Sequence, residues 1–301
     1  MADSSSMVSP STVICTEDGE ENAKRVLCED SLVAGTDEEY IELLMSRESC
    51  FCSRTLDPSS ANSVESARPE AVRWILKMKS LFGFSIRTAY LAVSYFDHFF
   101  LHRAIDLTKV KSWAIELLSV ACLSLAAKME EWKVTSLSEF QTKDYSFNTG
   151  AIQRMELLVL STLEWRMSRV TPFSYLNYFA SKFQEHGSEG LLLKAIELIF
   201  ASIKVMNLVD YRASVMAAAA ILAASDERLT QKSVKSKMSV ISSCRSMDID
   251  DVFSCYTLMI QETKKENFKT SMVNCSSINH SSEANGAISY LIASSKRRRL
   301  Q

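Results

Sequence analysis

The chain has 301 residues, 47% of them apolar and 23% charged, with a net charge of -2. That is enough apolar material for one large core or two of ordinary size, and two is the expectation at this length. The near-neutral balance and a pI near 6.2 argue against a nucleic-acid binder, which would show a basic stripe across a folded domain. No stretch of about twenty residues is free of charge, and the N-terminus lacks the basic-then-apolar pattern of a signal peptide, so neither membrane insertion nor secretion is expected. The expected compartment is cytosol or nucleus, where the eight cysteines serve as small buried hydrophobes rather than as disulfides.

Residues 1–35 are acidic, serine-rich and turn-rich, the composition of a disordered tail. Thr36-Asp37-Glu38-Glu39 reads as a capping box opening a helix that carries Ile41, Leu44 and Met45. Pro58 and Pro69 bracket a polar linker, so that residues 36–67 hold one helix and a connection. From Arg68 to about residue 170 the apolar residues recur at three and four, and no alternating strand pattern survives. Pro69 suits the first turn of a helix carrying Val72, Ile75 and Leu76, which Gly83 ends. A second helix places Ile86, Ala89, Tyr90, Val93, Phe96 and Phe100 on one stripe, with the carboxylate of Asp97 on that apolar face.

The third helix, Lys111 to Glu130, is apolar on nearly every side and must be the buried centre of a helical unit. Lys128 closes its apolar run where core meets surface, a place from which a lysine can point outward and stay charged. A short polar helix is expected near Ser136 to Thr142. In the helix Ala151 to Leu163, Ile152, Met155, Val159 and Leu163 make the stripe, and Glu156 falls one residue off it, at its edge. Together these make a unit of five helices.

Pro172 starts the count again: Phe173 to Phe183, Leu191 to Ile203, the alanine-rich Tyr211 to Ser225, and weaker patterns at Gln231 to Ile241 and Asp250 to Gln261. The expectation is an all-α chain of two tandem five-helix units, 68–170 and 171–266, preceded by a helix and flanked by disordered tails. The last tail, 267–301, ends in the basic run Lys296, Arg297, Arg298 and Arg299, which suits an importin-type nuclear signal.

The segments Arg68-Pro69-Glu70-Ala71-Val72-Arg73-Trp74-Ile75-Leu76, Thr88 to Asp97, Leu118 to Glu131 and Met155-Glu156-Leu157-Leu158 resemble a cyclin box, and most of all that of the D-type cyclins of plants. The resemblance covers roughly residues 35–265 and fades in the second unit. It implies a regulatory subunit without catalytic residues or cofactor, whose partner is a cyclin-dependent kinase contacted by Lys128 and Glu156. In the family this pair holds the kinase's regulatory helix inward, so that the kinase's own lysine–glutamate ion pair forms and its activation loop orders. Arg68 and Asp97 match an internal ion pair joining the first two helices, and Leu117 matches a core position. The implied role is activation at the G1 to S step, through phosphorylation of a retinoblastoma-related protein, in the nucleus with the cytoplasm also open.

Two departures from the family stand out. Mitotic cyclins read Met-Arg-Ala-Ile-Leu where this chain has Ala67-Arg68-Pro69-Glu70-Ala71, so the groove that docks substrates is eroded although Trp74 remains, a residue equally suited to core and docking. The retinoblastoma-binding Leu-x-Cys-x-Glu segment has as its nearest match Val13-Ile14-Cys15-Thr16-Glu17. Val13 in place of leucine removes one methylene, about 0.8 kcal/mol if fully buried, or roughly a fourfold loss of affinity, while Cys15 and Glu17 are kept.

Other classes fit less well. The chain has no G-x-G-x-x-G, P-loop or G-x-S-x-G, its dispersed histidines 98, 102, 186 and 280 form no H-E-x-x-H motif, and Cys50-x-Cys52 has no second pair for zinc. A twin five-helix scaffold of the kind found in general transcription factors would carry a basic second unit and a zinc ribbon. Here Asp226, Glu227, Asp248, Asp250 and Asp251 offset the local lysines. A degenerate relative that binds a kinase without activating it stays open on sequence alone.

Overall fold

In the computed structural model the described residues are 38–49, 58–103, 111–133, 135–140, 145–183, 189–239, 241 and 247–265, with backbone alone at 49, 58–66 and 189. Helical periodicity resolves into α1 (Glu38–Ser49), α2 (Pro58–Phe82), α3 (Ile86–Arg103), α4 (Ser112–Glu130) and α5 (Thr149–Thr162), then α6 (Leu176–Lys182), α7 (Glu189–Ser202), α8 (Ala213–Ser225), α9 (Gln231–Ser239) and α10 (249–265). Single turns of 3₁₀ helix occupy Leu137–Glu139 and Pro172–Tyr175. Among the described residues there is no strand.

Two elements depart from the expectation. Helix α2 begins at Pro58, so the stretch read as a linker up to residue 67 is helical there, and Pro69 lies inside the helix rather than in its first turn. An interior proline costs about 3 kcal/mol, but burying Val72 and Ile75 returns about 1.5–3 kcal/mol each, so packing outweighs the lost ladder bond. Pro58 takes the first-turn position instead. The short helix expected from Ser136 tightens to one 3₁₀ turn, where the Glu139 carboxylate accepts the Ser136 N–H at 3.1 Å.

Helix α4 is the axis of the first unit. Its residues from Leu117 to Ala127 are all buried, and it packs on α2, α3 and α5. By length and composition it could cross a membrane, yet 67% of its most apolar stretch is buried by its neighbours. Its N-cap, Lys111, makes no side-chain capping bond; a missing cap costs about 0.5–2 kcal/mol, less than one fully buried leucine contributes, so burial fixes this helix. By contrast α5, half-exposed, is capped by Asn148, whose side chain accepts the Ala151 N–H at 2.7 Å.

The second unit repeats the plan around α8, in which Ala213 to Ala224 are all buried. Its alanines let α7 and α6 approach closely, together with the turn Pro172–Tyr175. The buried apolar residues of both units form one continuous core. Tyr90 of α3 joins them, its ring edge-on to Phe173 at 5.7 Å and its hydroxyl 3.6 Å from the Met216 sulfur.

Helix α1 closes over this junction with Ile41, Leu44 and Met45 buried. Both of its ends reach the second unit: Glu38 pairs with Lys182, and Glu48 accepts the Ser214 N–H at 2.8 Å and hydroxyl at 2.7 Å. Glu48 thereby supplies the cap that the N-cap residue of α8, Arg212, does not provide.

Candidate functional site

Lys128 stands in the last turn of α4 and Glu156 in the middle of α5, and the packing of these two helices brings them together. The Lys128 ammonium donates to both Glu156 oxygens, at 2.6 and 2.8 Å. The lysine side chain is 36% exposed and that of the glutamate only 8%. Sequence position put Glu156 at the solvated edge of its stripe; in the structure it is buried, because α4 lies against that edge. The ammonium has three N–H groups, two of which serve Glu156, so the pair presents a positive donor backed by a fixed carboxylate. Removing Lys128 would leave Glu156 buried without its counter-charge.

Exposed apolar residues adjoin the pair in sequence. Met129 follows Lys128 and is 45% exposed, and Leu157 follows Glu156 and is 56% exposed. Such residues on helices otherwise committed to the core form the kind of surface that a partner protein covers. At the end of α5, Glu164 and Trp165 both hold left-handed backbone, with φ of 53° and 59°, and Trp165 is exposed. Neither the exposure of Met129 and Leu157 nor this backbone was singled out from sequence; the one available signal was that Leu157 falls off the apolar stripe of α5.

Arg68 and Asp97 also meet, and they do more than join α2 to α3. Arg68 Nε donates to Asp97 Oδ1 at 2.8 Å, and a terminal guanidinium nitrogen donates to Oδ2 at 3.0 Å. The same nitrogen also donates to the carbonyls of Ile203 and Met206, at 3.0 and 2.5 Å, and Asp97 Oδ2 accepts the Leu208 N–H at 2.9 Å. The pair therefore clamps the segment that follows α7 in the second unit. Burial pushes the Asp97 carboxyl up from its ordinary range, with the Arg68 guanidinium and the Leu208 N–H opposing that rise.

The remaining sequence candidates separate. Leu117 is buried in the core. Trp74 packs half-buried against it, and Glu70 is exposed on the same helix. Val13, Cys15, Glu17 and the basic run Lys296, Arg297, Arg298 and Arg299 lie outside the described residues.

Two family models match the chain, cyclin N-terminal domain over residues 39–168 and cyclin C-terminal domain over residues 170–291. Cyclin-D5-1 of Oryza sativa subsp. japonica is 46% identical over 201 residues, covering 65% of this chain and 54% of that protein. Cyclin-D5-1 of Arabidopsis thaliana is 41% identical over 240 residues, 76% of this chain and 73% of its own length. Cyclin-D1-1 of Arabidopsis thaliana is 42% identical over 214 residues, 69% and 60% respectively. The match spans little more than half the length of the rice relatives. With both cyclin domains matched in tandem, and with these three relatives D-type cyclins of plants, the chain belongs to the cyclin family, on its plant D-type branch.

Proposed function

We propose that the chain is the regulatory subunit of a cyclin-dependent kinase, which it binds and activates to promote the G1 to S transition. It is not itself an enzyme. The observation that carries this reading is the Lys128–Glu156 pair at adjoining helix rims, with Met129 and Leu157 exposed beside it. A helix of the kinase laid along these rims meets a cation, a carboxylate and apolar surface on two rigid supports. Clamping that helix stabilises the kinase conformation in which its own lysine and glutamate pair, and the free energy for the switch comes from contacts made only in that conformation.

The substrate assigned to the complex is a retinoblastoma-related protein, held weakly by Val13, Cys15 and Glu17, and the basic run Lys296 to Arg299 directs the chain to the nucleus. The reading requires no cofactor, nucleic acid or membrane. Purified chain mixed with candidate kinases should form a complex and raise phosphate transfer. Reversing charge at both Lys128 and Glu156 should weaken the complex by at least tenfold, about 1.4 kcal/mol, and unchanged binding would remove these residues from the interface. A peptide of residues 8–22 should bind a retinoblastoma-related pocket in the micromolar range, and no binding at high micromolar concentration would dispose of that segment's role.

A further inference from the structure

The end of α4 is bolted to the beginning of α3 by one carboxylate. Glu131 is the residue after the last turn of α4; its backbone N–H closes on the Ala127 carbonyl at 2.9 Å and its backbone then turns extended. Its Oε1 accepts the Ser85 N–H at 2.7 Å and the Thr88 hydroxyl, residues 46 and 43 positions earlier in the chain. Ser85 and Thr88 are themselves a capping couple at the start of α3: the Ser85 hydroxyl accepts the Thr88 N–H at 3.1 Å, and their two hydroxyls lie 3.0 Å apart. Both are buried. A negative charge here also complements the positive end of the α3 dipole.

Lys128 lies three residues before Glu131, one turn back along the same side of the helix. The last turn of a helix frays unless something holds it, and α4 ends without a glycine or another left-handed residue. Beyond the anchor the chain turns at once to solvent, with Trp132 98% exposed. We infer that Glu131 is a positioning residue for the partner-binding pair: its bonds to Ser85 and Thr88 hold the terminal turn of α4 closed, and thereby set the place from which Lys128 reaches Glu156 and the partner. The inference rests on the kinase-binding reading for its consequence, but not for the anchoring itself.

The test compares Glu131→Ala with Glu131→Gln, which keeps an oxygen for both donors. Val234→Ala, a cavity in the buried face of α9, serves as a control of matched thermal stability. Amide exchange at Met129 and Glu130 should quicken at least tenfold in Glu131→Ala and little in the other two, since Gln keeps a carbonyl oxygen that accepts from both donors and Val234 lies in another helix. Kinase affinity should fall roughly tenfold in Glu131→Ala, stay within about threefold in Glu131→Gln, and be unchanged in Val234→Ala. Unchanged exchange in the last turn of α4 would overturn the anchoring. An affinity loss shared equally with Val234→Ala would overturn the positioning role. If the wild-type chain binds no kinase, the functional reading fails while the exchange comparison still decides the anchor.

Discussion

Replacing Arg68 with methionine keeps the side-chain stem and removes the guanidinium. Asp97, whose side chain has no solvent exposure, would lose partners at 2.8 and 3.0 Å and keep only the Leu208 N–H at 2.9 Å. Breaking one side of a buried pair costs about 3–5 kcal/mol. The carbonyls of Ile203 and Met206 lose their donor too, at about 1–3 kcal/mol each if they stay dry, although a loop that relaxes toward water recovers much of that. The expected total is about 4 kcal/mol, a large share of the 5–15 kcal/mol that holds a typical domain together.

Because the lost bonds cross between units, the loss should also uncouple their unfolding. The sequence supplies the probe: all four tryptophans, Trp74, Trp113, Trp132 and Trp165, lie in the first unit, while helices occur in both. Urea titrations followed by tryptophan fluorescence and by far-ultraviolet circular dichroism should coincide in the wild-type chain and separate in Arg68→Met. Pairing this variant with Asp97→Asn in a double-mutant cycle should give a coupling of about 2 kcal/mol or more. Coincident transitions, with a stability loss below about 1 kcal/mol, would refute the assignment of Arg68 as the clamp between the units.

Burial takes the His98 imidazole down from 6.5 to about 3, with Arg169 and His102 adding to the effect and the Ser94 carbonyl opposing it. The unfolded ring binds a proton that the folded ring refuses, so this stability is present above the unfolded pKa and declines as pH falls toward 3. Between pH 7 and 5 the decline should be about 2 kcal/mol. The carboxyls of Glu48, Asp97 and Asp210, all raised by burial, titrate with the opposite sign, so the wild type should be measured against His98→Gln, and equal slopes in the two would contradict the assignment. Glu48→Ala should cost about 1–3 kcal/mol by uncapping α8, and amide exchange at Ser214 should quicken. Glu164→Gly should stabilise by about 0.5–1 kcal/mol in thermal melts, since relief of left-handed strain exceeds the added chain entropy; a lower melting temperature would oppose that.

Most of the helical plan was legible because burial is written locally. A stretch without a charge such as Leu117 to Ala127, apolar but for two serines, reads as a central helix, and Gly83 stops α2 where a left-handed residue is needed, at φ 66°. The site was half legible. Lys128, Glu156, Arg68 and Asp97 could be named from the resemblance, but that Lys128 grips Glu156, or that Arg68 reaches Ile203 and Met206, depends on contacts between segments 28 to 138 residues apart. Periodicity carries no information about such contacts. For the same reason nothing in the sequence singles out Glu48 or Glu131: each sits at the end of a helix, and its role is set by the backbone N–H of another. Pro69 misled because proline speaks for itself locally, while the packing that overrides it lies on the following turns.

The bonds of Arg68 to the segment 203–208 also order events during synthesis. Every helix of the first unit is synthesised before the residues that complete the shell of Arg68 and Asp97. The early half must therefore wait with one charged pair only partly satisfied, and its last interior bonds close when the later half arrives. A translational pause placed before that segment would lengthen this exposed interval and send more newly made chains to chaperones.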